Sequence, residues 1–243
     1  MRTIPALLAF IFAMPVAAVA AERTVSIASA ERQVVERSNV FRRSQSLGPV
    51  TPDRTLTASA QAFAAYMAQT DRYGHEADGR QPSERAQAQG YAYCMVAENI
   101  AMLYHSVGFD TDELAAKYVQ GWIDSPGHRK NLLATEATDI GVGIAQSARS
   151  GRYYAVQLFG RPARLQLKFS LYNRSREPLR YQLDDQSFAL PPGMTRSHRQ
   201  CTPPALSLTL PGSAEPVTLQ PGNGTQYRFE QTPRGVRVVS DPP

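Results

Sequence analysis

The feature that most constrains this chain is a change of hydrophobic period near Thr138. Before it, apolar residues recur at helical spacing; after it, they alternate with a period of two. In "LTASAQAFAAYMAQTD", Leu56, Ala60, Phe63, Ala64 and Met67 share one face of a helix. "DTDELAAKYVQGWIDS" repeats the pattern with Leu114, Tyr118 and Trp122, and Asp110 stands as N-cap with Glu113 three residues on. An earlier stretch, Ser26 to about Ser46, is helix-friendly, with a modest stripe of Ile27, Val34, Val35 and Phe41. Pro82 opens a short helix that Gly90 stops. Ser125 then caps a further short helix, "PGHRKNLL". Beyond Thr138, "DIGVGIAQ" and "RYYAVQLFG" flank the turn "SARSG" and predict an antiparallel hairpin. The first unit therefore reads as α+β, helices layered on a small sheet.

From residue 162 onward no helical period remains. "RLQLKFSLYN", "LRYQLDD", "ALSLTL", "PVTLQ" and "TQYRFEQ" are short alternating runs separated by Pro/Gly turns, which predicts a small all-β domain of sandwich or barrel type. The expected division is a signal peptide at 1–21, a mixed domain at 22–161 and a β-rich domain at 162–243. The signal peptide rests on "MRTIPALLAFIFAMPVAAVA", an early Arg2, a short apolar run and a small-residue ending at Ala18-Val19-Ala20. No other stretch approaches the roughly 20 apolar residues that span a bilayer, so the expectation is an exported protein, periplasmic or extracellular, with no transmembrane segment after the leader is removed.

The formal net charge of +5 is mild and falls to +4 without Arg2. It suits approach to an anionic envelope surface, but no cluster of cations interleaves with aromatics, so nucleic acid is not an expected partner. Two cysteines, Cys94 and Cys201, lie far apart in the chain. In an oxidising compartment their simplest use is a disulfide joining the two domains, with two separate buried thiols as the alternative.

Three residues stand out as candidates for chemistry. His75 precedes a turn in "YGHEADGR", and His128 is the third residue of the helix begun by Ser125, beside the positive end of its dipole. That position favours the neutral imidazole, the form that binds metals or accepts hydrogen bonds. Glu98 sits in "CMVAENIAM", flanked by Val96, Ala97, Ile100, Ala101 and Met102, where a carboxylate is costly to bury without a partner. Histidines would serve as partners; capping the next helix or pairing with an arginine are the plainer alternatives.

"YGHEADGRQPSERAQAQGY", "AENIA", "GWIDSPGHRKNLL" and "IGVGIAQSARSGRYYAVQLFG" occur in the order and approximate spacing of the CAP superfamily (cysteine-rich secretory, antigen 5 and pathogenesis-related proteins), and the chain resembles its secreted bacterial members over roughly residues 30–160. The resemblance implies a CAP-type α-β-α sandwich and a cleft lined by two histidines and two acidic residues. By motif these are His75, Glu98 and His128; the fourth acidic position is occupied by Ser125, with Asp124 one residue earlier. The implied set, two imidazoles and a carboxylate, has the make-up of a Zn²⁺ or similar divalent site. No "GxSxG" is present and both cysteines are better used in a bond. The expected function is therefore a non-enzymatic envelope protein binding a small apolar or lipid ligand, or a divalent metal, in that cleft. The alternative is a metal-assisted hydrolase acting on peptides or cell-wall material.

Overall fold

A computed structural model of the chain describes residues 24–241; the signal peptide expected at 1–21 lies outside the described residues. The first helix, α1 (Ile27–Ser44), buries Ala30, Val34, Ser38 and Arg42, one residue per turn. Of the expected stripe only Val34 is fully buried; Ile27, Val35 and Phe41 pack at the margin of the core. The second half of the buried face is polar because its side chains serve main-chain and amide groups. Ser38 donates to Val34 O and accepts from Gln157 Nε2, while Arg42 donates to Gly48 O, Leu132 O and Ala134 O.

A two-residue strand, β1 (Thr51–Pro52), leads into α2 (Arg54–Thr70), whose N-cap Asp53 accepts from the N–H groups of Thr55 and Leu56. Its buried face holds Leu56, Ala60, Phe63, Ala64 and Met67, the predicted set, together with Ser59 and Ala68. α3 (Pro82–Ala88) follows, with Glu84 accepting from the N–H of Gln81.

β2 (Tyr93–Leu103) has no counterpart in the sequence reading. Its residues are apolar on both sides: Met95, Ala97, Ala101 and Leu103 pack into one core cluster, Val96 and Ile100 into the other. A strand covered on two faces carries no alternation to read. α4 (Thr111–Asp124) is capped by Asp110, which accepts from Glu113 N, and buries Leu114, Tyr118 and Trp122 as predicted. α5 (Pro126–Leu132) begins after Ser125, whose backbone is extended but whose side chain makes no capping bond.

β3 (Asp139–Gln146) and β4 (Tyr153–Pro162) form the predicted hairpin, and the sheet runs β1-β3-β4-β2, with β1 parallel to β3 and the other pairs antiparallel. Along β4 the side chains alternate between two cores. Ala155 and Phe159 meet α1, α4 and α5; Tyr154, Val156 and Leu158 meet α2 and α3. This is an α-β-α sandwich. Gly141 and Gly143 of β3 lie against the α2 backbone: a Cβ on either would collide with main-chain atoms of Leu56 or Ala60.

After a single 3-10 turn at Ala163–Leu165 the chain forms β5 (Leu167–Arg174), β6 (Leu179–Leu183), β7 (Gln186–Leu190), β8 (Thr195–Gln200), β9 (Leu206–Thr209), β10 (Val217–Leu219), β11 (Gln226–Thr232) and β12 (Gly235–Asp241). They make two four-stranded sheets, β10-β9-β6-β7 and β12-β11-β5-β8. Phe169, Leu171 and Phe229 from one sheet and Leu179, Tyr181, Leu206 and Leu208 from the other fill a common core. β7 and β8 do not stand out as apolar runs in the sequence because most of their residues are exposed, and β12 is an edge strand in which no residue is fully buried. Cys94 of β2 is disulfide-bonded to Cys201, just after β8, with Cα atoms 5.7 Å apart. Among the described residues no helix is long and apolar enough to cross a membrane.

Candidate functional site

Glu98 points from β2 toward α3 and the loop before it, and its side chain is 1% exposed. Two partners hold it. Oε1 accepts from His75 Nδ1 at 2.8 Å, and Oε2 accepts from Arg85 Nη2 at 2.7 Å. Of the partners considered for this carboxylate, one histidine and an arginine are both present, while the next helix is capped by Asp110.

Arg85 comes from α3 and is itself buried. Nη1 donates to Asp78 Oδ1 and Arg80 O at 2.9 and 2.7 Å, Nη2 also donates to His75 O at 2.9 Å, and the guanidinium lies 3.5 Å from the centroid of the Phe63 ring. One side chain therefore fixes both the carboxylate that holds the His75 ring and the main chain that carries it. Burial pushes the Glu98 carboxyl above the ordinary glutamate range, while Arg85 and His75 pull it back. The His75 side chain remains 50% exposed, and with Nδ1 engaged its Nε2 is the nitrogen that faces no partner among the described residues.

His128 approaches from α5. Burial lowers its pKa and the charge of His75 lowers it further, which favours the neutral ring. Its helix is tied to β2 by side-chain amides. Asn131 Nδ2 donates to Glu98 O and Asn99 Oδ1, and Asn99 Nδ2 donates to His128 O and Gln157 Oε1. The next outward carbonyl on β2, that of Ile100, accepts from Trp122 Nε1 at 3.1 Å and from Tyr73 Oη at 3.3 Å. Tyr73 belongs to the same neighbourhood: burial and then the Glu98 charge raise its phenol.

His75 is thus bonded to Glu98, and its charge acts on His128. Asp124 is exposed at the end of α4, where its carboxylate accepts from Gln120 Nε2 at 2.8 Å. Among the described residues no group of three or more His, Cys, Asp or Glu side chains is arranged to hold a metal ion. Arg85, Asn99, Asn131 and Tyr73 were not singled out in the sequence. Nothing distinguishes Arg85 in "PSERAQAQG" from a solvated arginine except that Glu98 needed a cation.

The model of the CAP family, described as the cysteine-rich secretory protein family, matches residues 35–159. The chain belongs to this family. The match covers the α-β-α sandwich, from α1 into β4, and stops short of β5. Among curated relatives, the CAP segment is 34% identical over 137 residues to the uncharacterized protein YkwD of Bacillus subtilis (strain 168), covering 56% of this chain and 49% of that protein. It is 29% identical over 117 residues to the uncharacterized membrane protein YlbC of the same organism, covering 48% and 32%. The chain thus spans half or less of the length of these relatives. Among solved structures, an extracellular protein containing an SCP domain from Bacillus anthracis is similar at 26% identity and a TM-score of 0.47, over 56% of this chain and 41% of that one. An outer surface protein of Borrelia burgdorferi is similar at 20% identity and a TM-score of 0.48, over 55% and 92%.

Proposed function

We propose that this CAP protein is exported and binds a ligand at the His75 and His128 imidazoles, with a divalent cation such as Zn²⁺ as the occupant to test first. The observation that carries the reading is the hydrogen bond from His75 Nδ1 to a carboxylate that is itself clamped by Arg85. A histidine that gives one ring nitrogen to a fixed carboxylate has its tautomer and orientation set, and presents the other nitrogen as a stronger base. At His128 the lowered pKa favours the neutral ring, the form that can donate a lone pair. In this reading Glu98 orients and does not ligate, because its side chain is 1% exposed and each oxygen is already turned to a donor, His75 or Arg85. The residues fit an ion held by two imidazoles and completed by solvent or by a ligand's own donors; they do not fit one ligated by Glu98. Exposed Tyr73, whose hydroxyl donates to Ile100 O, suits an apolar body attached to such a donor.

Binding is better supported than hydrolysis. A hydrolase of this kind asks for a carboxylate free to take a proton from water, and Glu98 is committed to His75 and Arg85. Export is supported by the leader-like first residues and by the disulfide; immunoblotting of periplasm and medium distinguishes the two destinations.

Calorimetric titration of Zn²⁺ tests the site. We expect one saturable event in the native protein, its loss in His75→Ala and in His128→Ala, and an affinity about 10–100-fold weaker in Glu98→Gln. Equal heats for the native protein and the double histidine variant would refute metal binding here.

A further inference from the structure

The charges of this chain are unevenly divided. Residues 24–162 hold 14 Lys and Arg against 14 Asp and Glu, whereas residues 163–241 hold 10 against 6. The whole positive excess of the described chain therefore lies in the β sandwich, outside the CAP match.

Strand register places much of it on one surface. In the β12-β11-β5-β8 sheet, Phe169, Leu171, Tyr227 and Phe229 point into the core, so the residues alternating with them face outward. Across β5 and β8 the outward pairs are Lys168 with Arg199, Ser170 with Ser197, and Tyr172 with Thr195. Across β5 and β11 they are Ser170 with Gln226, Tyr172 with Arg228, and Arg174 with Glu230. Two cations on this face are matched within it, Arg228 by Asp241 and Arg237 by Glu230. Lys168, Arg174 and Arg199 are exposed and have no carboxylate within ion-pair distance among the described residues. The Arg174 guanidinium lies 5.9 Å from the Tyr172 ring centroid.

Like charges directly opposite on neighbouring strands repel, and Lys168 and Arg199 are such a pair. On the other side of the same face the Glu230 carboxyl is held low first by its hydrogen bond from Arg237, against a smaller effect of burial, and then by the charges of Arg237, Arg228 and Arg174. An anion placed over β5 and β8 would relieve that repulsion. Around the cations the face offers hydroxyls and an amide, from Ser170, Ser197, Thr195 and Gln226, with a single aromatic ring. Single-stranded nucleic acid is held by successive aromatic platforms, which this face lacks. Hydroxyl-rich chains with regularly spaced carboxylates match what is present.

We propose that the outward face of the β12-β11-β5-β8 sheet binds an anionic polysaccharide of the polyuronate class, its carboxylates on Lys168, Arg199 and Arg174 and a sugar ring against Tyr172. The proposal is independent of the CAP cleft. The test uses the full chain and soluble polygalacturonate, with neutral dextran and single-stranded DNA as comparison probes and NaCl as the variable. We expect polygalacturonate binding that weakens as salt rises, none to dextran, and weaker binding to DNA. Lys168→Gln/Arg199→Gln should weaken polygalacturonate binding by about tenfold or more, while Arg43→Gln, an exposed cation on α1, should stay within about twofold. The swap Lys168→Arg/Arg199→Lys should retain binding, and Arg174→Gln alone should weaken it several-fold, which keeps the test decisive if the double variant melts early. Absence of binding at low salt, equal loss in Arg43→Gln, unchanged binding in the double glutamine variant, or tighter binding of DNA would each overturn it.

Discussion

Removing the Arg85 guanidinium while leaving Glu98 in place would strand a carboxylate whose side chain is 1% exposed. Breaking a buried pair from one side costs about 3–5 kcal/mol, so Arg85→Met should lower the unfolding free energy by that order in urea titration. Glu98→Gln, which keeps the shape and lifts the charge, should cost distinctly less. His128 supplies a second residue-scale prediction. Its folded pKa is depressed, so its contribution to stability is complete above the ordinary histidine value and is lost as pH falls through the folded one. Glu98 acts in the opposite sense: its folded pKa is raised, so its contribution is complete below the ordinary glutamate value and disappears as pH rises through the folded value. His198, also lowered by burial, adds to the histidine slope. The His128 part is therefore read as the difference between the native protein and His128→Gln at each pH. That difference should shrink on acidification from pH ~7.5 to ~5; a difference independent of pH would show that the ring titrates normally.

Among the elements, α2 rests on β3 through two positions without side chains. A methyl on Gly141 or Gly143 would meet helix backbone, which unlike a flexible side chain has nowhere to go. Overpacking usually costs about 1–3 kcal/mol, and Gly143→Ala should reach or exceed the upper end, with a matching fall in melting temperature. The "GVG" alternation was legible as a strand; the close helix above it was not, because sequence spacing carries no information on which backbone arrives opposite a glycine. The same limit explains the other gaps. α2 and α4 could be read because one face of each is apolar and the other wet. β2 could not, since both its faces are covered and its one acid looked like an exception in an apolar strip. His75, Glu98 and His128 each stood out by local chemistry but could be grouped as one set only through the ordering of four motifs. Arg85 and the Asn99–Asn131 pair were not, since a buried polar residue is recognised by its partner, and the partners lie up to 58 residues away.

At the scale of the molecule the disulfide closes a loop of 107 residues between β2 and the segment after β8. On the chain-entropy account a loop of that size is worth about 4–5 kcal/mol. Cys94→Ser/Cys201→Ser should therefore unfold at clearly lower urea concentration; an unchanged midpoint would mean that the cross-link constrains little in the unfolded chain. β2 carries both this bond and Glu98, and it is also the outermost strand of its sheet. An eleven-residue border with bare carbonyls invites another chain to zip alongside. Here Asn131 sits on the carbonyl of Glu98, while Trp122 and Tyr73 crowd that of Ile100. The side chains that tie α5 and Tyr73 to β2 thus also cover part of an open sheet edge, so that loosening them would both release the His128 helix and bare that border to pairing.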